Sequence, residues 1–150
     1  MMSGLTEILL TAASTILGGV FIFVAGQVVA RFFIEPIHDF KTLLGDIRYS
    51  LIFFAREIQT PVPGDKERCD KASEALRKHS SDLPSKAAAI PLYALISALT
   101  CRFIPRRILV FEAARYLMGL SNAVYNKDRS RNTASVNKIC SLLGFEYIDD

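Results

Sequence analysis

Residues Ile8 to Ala30 read ILLTAASTILGGVFIFVAGQVVA, 23 consecutive uncharged positions closed off by Glu7 on one side and Arg31 on the other. At about 1.5 Å per residue a helix of this length reaches roughly 35 Å, enough to cross a hydrocarbon core of about 30 Å with some tilt. Gln27 is the one strongly polar side chain inside the stretch, and it sits near the Arg31 end. Thr11, Ser14 and Thr15 can return their hydroxyls to backbone carbonyls of the preceding turn. A core helix of a water-soluble protein would carry a polar stripe; this stretch has none. We therefore expect a transmembrane helix.

A cleaved secretory signal is the competing reading. It needs Lys or Arg ahead of a shorter apolar core, and Met1 to Glu7 contains neither. The expectation is an uncleaved anchor. The flanking charges orient it: no basic residue precedes the span, whereas Arg31, Lys41 and Arg48 follow within about 20 residues. The N-terminus is then expected outside and residues 31–150 in the cytoplasm. Gly18, Gly19, Gly26 and Ala30 offer small side chains on the helix surface. Gly19, Gly26 and Ala30 are the expected packing positions for another membrane helix.

Beyond Arg31 the pattern becomes amphipathic. Pro36 stands where the membrane helix kinks or a new helix opens in its first turn. From there Ile37, Phe40, Leu44, Ile47, Leu51, Phe54 and Ile58 recur at spacings of three and four, a seam sustained for three heptads. Asp39, Lys41, Asp46, Arg48, Arg56 and Glu57 fall mostly off it. Such a seam either packs on its own domain or pairs with a second copy, since the same register extends back through Phe33, Ala30, Gly26, Phe23 and Gly19.

Gln59 to Gly64, with Pro61 and Pro63, is a break, and Asp65 is the expected N-cap of the next helix. Cys69, Ala72, Leu76, His79 and Leu83 step along that helix, with Glu67–Lys71 and Glu74–Lys78 as i,i+4 pairs on its wet face. Asp82 and Pro84 are expected to end it and restart another. Ala87 to Cys101 is 15 uncharged residues; as a helix it spans about 22 Å, too short for a bilayer. A buried core helix is expected, with a membrane-surface segment as the alternative. Pro105 opens a helix running to about Tyr125, with Phe111, Ala114, Met118, Ser121 and Val124 inward. Asn126 to Asn132 reads as a polar linker. Thr133 to Leu143 is a last helix through Val136, Ile139, Cys140 and Leu143, closed by Gly144.

The chain thus reads as all-α: residues 1–34 form a tail and transmembrane anchor, and residues 35–150 a small cytosolic bundle of about four helices. Composition agrees, with 51% hydrophobic residues and a net charge of +3. The surplus gathers in residues 87–125, where Arg102, Arg106, Arg107 and Arg115 face Glu112 alone. That mild excess suits an anionic membrane surface better than nucleic acid; Arg31, Arg102, Arg106 and Arg107 are the expected membrane-surface residues.

Catalytic patterns are missing. Cys69, Cys101 and Cys140 are far apart, with neither CxxC nor Cys/His ligand spacing, and read as reduced, buried thiols. Glu35 and His38 form one Glu-x-x-His pair, but metal bundles need a second copy. There is no phosphate loop or nucleophile elbow. No cofactor, metal, nucleic acid or small-molecule substrate is expected, and the chain reads as a non-enzyme.

The stretches Glu35-Pro-Ile-His-Asp-Phe-Lys41 and Leu44-Gly-Asp-Ile-Arg-Tyr-Ser-Leu-Ile-Phe-Phe-Ala55, with Glu74-Ala-Leu-Arg77 and Glu112-Ala-Ala-Arg-Tyr-Leu-Met-Gly-Leu-Ser-Asn122, resemble a group of small uncharacterised bacterial proteins. These are single-pass inner-membrane proteins with a helical cytosolic part. The resemblance implies that architecture and a bacterial inner membrane, and brings no assigned activity. Together with the missing motifs it leads to an expected role in protein–protein contacts, as scaffold, adaptor or accessory subunit, with the bilayer, other proteins and a second copy as partners. A membrane-perturbing effector of toxin or phage-defence type, inserting Ala87 to Cys101, is the alternative.

Overall fold

The computed structural model describes residues 2–59, 66–99, 104–126 and 128–145. Within them it is all-helical: α1 (Met2–Val29), a π-helical turn (Ala30–Ile34), α2 (Glu35–Phe53), α3 (Ala55–Gln59), α4 (Lys66–Ala89), α5 (Tyr93–Leu99), α6 (Arg107–Ala123) and α7 (Arg129–Leu143).

The first two helices and the π turn form one rod. Thr6 to Phe53 is a single helical run of 48 residues, about 70 Å at the ordinary helical rise. Pro36 does not break it. In an α-helix its ring would press on the carbonyl four residues earlier and one hydrogen bond would be lost. The wider π turn directly before it, closed by the Glu35 N–H donating to the Ala30 carbonyl, makes that room.

The α1 half of the rod is solvated on all sides. The large apolar side chains between Ile8 and Val29 are 47–76% exposed, from Val28 to Phe21. In water such a surface forgoes on the order of 10 kcal/mol or more of hydrophobic stabilisation. The hydroxyls of Thr11, Ser14 and Thr15 donate to the carbonyls of Glu7 and Thr11 at 2.8–3.0 Å, so all three hydroxyls are satisfied within the helix. This one helix is long and apolar enough to cross a membrane.

The α2 half is the opposite. Phe40, Ile47, Leu51 and Ile58 are fully enclosed or nearly so, Leu44 is buried, and Ile37 and Phe54 pack partly against the core. Four long helices run alternately up and down. Side-chain contacts fix the register of α4 against α2: Lys86 meets Asp39 at 3.8 Å, His79 meets Ser50 at 2.9 Å and Arg68 meets Glu57 at 2.9 Å. Arg77–Asn122 and Asp70–Tyr125 align α6 against α4, and Glu112–Lys138 aligns α7 against α6. The bundle therefore has a near end beside the π turn, holding the starts of α2 and α6 and the ends of α4 and α7. Its far end holds α3, the start of α4, the end of α6 and the start of α7.

Several expectations are corrected. α4 does not stop at Asp82; Pro84 lies inside it. Leu83, Ala87 and Ile90 on either side are at most 3% exposed, and burying them between neighbouring helices outweighs about 3 kcal/mol for an interior proline. Ala87 to Cys101 is not one buried helix. Its first three residues finish α4, Ile90 to Leu92 form a turn, and α5 follows. Pro91 steers the preceding residue out of helical conformation, and Leu92 takes a left-handed φ of 51°. Leu92 and Leu95 are exposed.

The buried stripe of α6 is wider and centred earlier than expected. Val110, Ala113, Leu117 and Leu120 join Ala114, Ser121 and Val124 inside, whereas Phe111 and Met118 are 43% and 40% exposed. The cause is that α6 packs against both α4 and α7. The linker after α6 is shorter than Asn126 to Asn132, for α7 begins at Arg129, capped by Asp128, whose carboxylate accepts from the Arg131 N–H at 3.1 Å. Asn132 is buried inside that helix. Gly144 ends α7 with φ 75°, as its C-terminal glycine signal implies. The proline-rich break and Asp65 lie outside the described residues, apart from Gln59. On α4, Lys71 meets Glu67 at 2.6 Å.

Candidate functional site

The expected packing positions on α1 stand open. Gly19 and Gly26 are exposed, and a Cβ added at either meets nothing within 4 Å. Ala30 is half-buried at the π turn. All three lie on a helix face that no neighbour in the bundle covers at Gly19 and Gly26.

The Ile37–Ile58 seam is used inside the chain, where it faces α4 and α7. Outside that seam, α2 keeps a separate apolar ledge. Tyr49, Ile52 and Phe53 are 63%, 48% and 51% exposed, and the Tyr49 and Phe53 rings stack with centroids 5.5 Å apart.

The basic positions divide. Arg31 is exposed next to the apolar half of the rod, and Arg106 and Arg107 are exposed at the start of α6. The Arg107 guanidinium lies over the Phe111 ring, 5.8 Å from its centroid. Arg102 is outside the described residues. Arg106 and Arg107 belong to the near end, because Tyr93 donates to the Pro105 carbonyl at 2.7 Å and packs edge-on to Phe40 of α2 at 6.1 Å. Burial raises the Tyr93 hydroxyl to about 12, opposed by the charge of Arg107.

His79 is a packing residue held by one hydrogen bond. Its Nε2 pairs with Ser50 Oγ, and its Nδ1 is buried without a partner. Burial pulls its pKa below the ordinary value, against the charges of Asp46 and Asp82 and assisted by Lys78. Glu57, expected on the wet face, is buried at 4% exposure and held by Arg68 at 2.9 Å. Its seam-adjacent position is where α3 turns in against α4 and α7, which spacing within α2 alone does not reveal. Cys69 and Cys140 are buried, and burial pushes the Cys140 thiol up, away from the reactive thiolate range. Among the described residues no group of three His, Cys, Asp or Glu side chains is placed to hold a metal.

A groove runs between α6 and α7, past Phe111, Arg115, Tyr116, Asn122, Arg131 and Ser135. Several of its polar groups are engaged structurally. Ser135 donates to the Arg131 carbonyl, Asn122 accepts from Arg77, and Glu112 pairs with Lys138. Comparison of the chain with known protein families, curated proteins and solved structures finds no match.

Proposed function

We propose that this chain is a single-pass protein of a bacterial inner membrane, N-terminus outside, whose cytosolic bundle works through contacts with other proteins and not through catalysis. The observation that carries the reading is the divided rod. Its first half exposes apolar side chains on every face, and its second half is the central strut of a packed domain. The bilayer is the solvent in which the first half loses its penalty. The basic residues that follow the span support the orientation, and the resemblance of the Glu35–Ala55 stretch supports the bacterial inner membrane. The ledge of Tyr49, Ile52 and Phe53, large and aromatic, is the kind of surface proteins bury against one another.

The test has two parts. Native membranes washed at alkaline pH should retain the chain, and a phosphatase active only in the periplasm should work at its N-terminus and fail at its C-terminus. Release by the wash, or the reverse pattern, overturns the anchoring. Purification in mild detergent should then give a homo-oligomer or a defined complex, which Tyr49→Ser with Phe53→Ser disperses without unfolding the bundle. A lone monomer from native membranes overturns the contact role.

The exposed Leu92 and Leu95 favour a second reading, a membrane-perturbing effector. It requires induced expression to depolarise cells, as a membrane-potential dye would report. Full polarisation at high membrane abundance rejects it.

A further inference from the structure

The near end of the bundle carries an apolar surface with a definite position along the rod. Lys86 meets Asp39, nine residues and about 13 Å beyond Ala30. α4 then runs back toward α1 by almost one turn, bringing Ala89 to within about 9 Å of the level of Ala30. The turn of Ile90 to Leu92, α5 and the start of α6 build out this end. Leu92, Leu95 and Ile108 are 64%, 55% and 73% exposed there, beside the exposed Arg106 and Arg107. Among the described residues of this end, Lys86 answers Asp39 and Lys138 answers Glu112, and Arg31, Arg106 and Arg107 outnumber Glu35.

Leu92 sharpens the point. A left-handed backbone favours glycine or asparagine, and an exposed turn favours a polar residue. A leucine in that turn is disfavoured on both counts in water. An apolar medium over the turn removes the second cost. The headgroup layer on each side of a bilayer is about 5–8 Å deep, and interfacial elements bury their apolar faces about 5–10 Å into it. Ala89, about 9 Å beyond Ala30, stands at the outer edge of that layer if α1 crosses the membrane.

We propose that Leu92, Leu95 and Ile108, with Arg106 and Arg107, form a second lipid-contact surface that seats the bundle end-on against the anionic leaflet α1 enters. The inference rests on the anchoring reading and adds the orientation of the domain and the class of lipid. Apolar side chains enter the interface and the guanidinium groups take phosphate oxygens, the division of labour of peripheral membrane elements.

The chain contains no tryptophan, so a single introduced one reports its own depth. Full-length Phe23→Trp, Leu95→Trp and Ile52→Trp proteins are reconstituted into vesicles of brominated phosphatidylcholine, with and without phosphatidylglycerol. Phe23→Trp, within α1, should be strongly quenched. Leu95→Trp should lose roughly half its emission, as expected of an interfacial position, and lose more when phosphatidylglycerol is present. Ile52→Trp, about 33 Å beyond Ala30, should be unquenched. Adding Arg106→Gln and Arg107→Gln should remove the phosphatidylglycerol-dependent part from Leu95→Trp. Quenching at Phe23→Trp without quenching at Leu95→Trp overturns the second contact and leaves the anchor standing. Equal quenching of Leu95→Trp and Ile52→Trp overturns end-on seating, and an unquenched Phe23→Trp overturns the anchor itself.

Discussion

The side-chain amide of Asn132, in the first turns of α7, donates to the Ile58 carbonyl at 2.7 Å, across 74 residues of sequence, and to the Ala123 carbonyl at 3.3 Å. One buried group thereby ties the ends of α3 and α6 to the start of α7. Replacing it with alanine strips the buried Ile58 carbonyl of this donor, while the Ala123 carbonyl keeps the Asn126 N–H, and Asn132→Ala should cost about 1–3 kcal/mol. A shift of the urea midpoint at unchanged slope checks this; a shift worth under about 0.5 kcal/mol rejects the tie as a stabilising element.

The Glu57–Arg68 pair gives a second prediction. Glu57 is buried while Arg68 is 43% exposed along its side chain, so removing the arginine strands a carboxylate in the interior. Arg68→Met should destabilise by about 2–4 kcal/mol, and Glu57→Met in that background should recover most of the loss. If the double variant is no better than the single one, the burial argument is wrong.

Acid should weaken the bundle through His79. Its folded-state pKa lies below the ordinary value of 6.5, so the unfolded chain takes up the proton first. The stability is complete above about pH 6.5 and is lost as pH falls through that value toward the lower folded pKa. His79→Gln, able to keep a hydrogen bond to Ser50, should flatten the dependence between about pH 7 and 5. Melting temperatures of both proteins across that range decide; parallel curves reject it.

Leu92 and Gly144, the two left-handed residues among the described ones, should respond in opposite ways. Gly144→Ala, at φ 75°, should cost about 1 kcal/mol. Leu92→Gly, at φ 51°, should leave stability within about 0.5 kcal/mol, because relief of backbone strain offsets the added freedom of the unfolded chain. Thermal unfolding of both variants in detergent tests the contrast.

How far the fold was legible follows from which forces act locally. The apolar stretch from Ile8 to Ala30 and the period of Ile37 to Ile58 are one-dimensional signals, and the long apolar helix and the buried face of α2 follow from them. Gly144 and Asp128 cap helices by local chemistry, though the sequence pattern alone left Asp128 inside a linker. Pro84 misled because local propensity says stop while tertiary packing of Leu83 and Ala87 says continue. Phe111 and Met118 misled because a helix with two neighbours buries a broad stripe, and periodicity does not locate its centre. Asn132 and Glu57 escaped the sequence reading for a different reason: Asn132 is buried against Ile58, 74 residues away, and Glu57 by the packing of α3 on α4 and α7.

The unbroken passage from α1 through the π turn into α2 also removes a freedom that tethered domains possess. A flexible linker lets a domain sweep a volume set by linker length. Here the long apolar helix continues directly into a helix of the bundle, so every face of the domain has a fixed bearing relative to the rod. If the apolar half crosses a bilayer as proposed, bilayer thickness acts on its tilt, and a change in tilt becomes a rotation of the whole domain, like the hand of a gauge whose spindle is that helix.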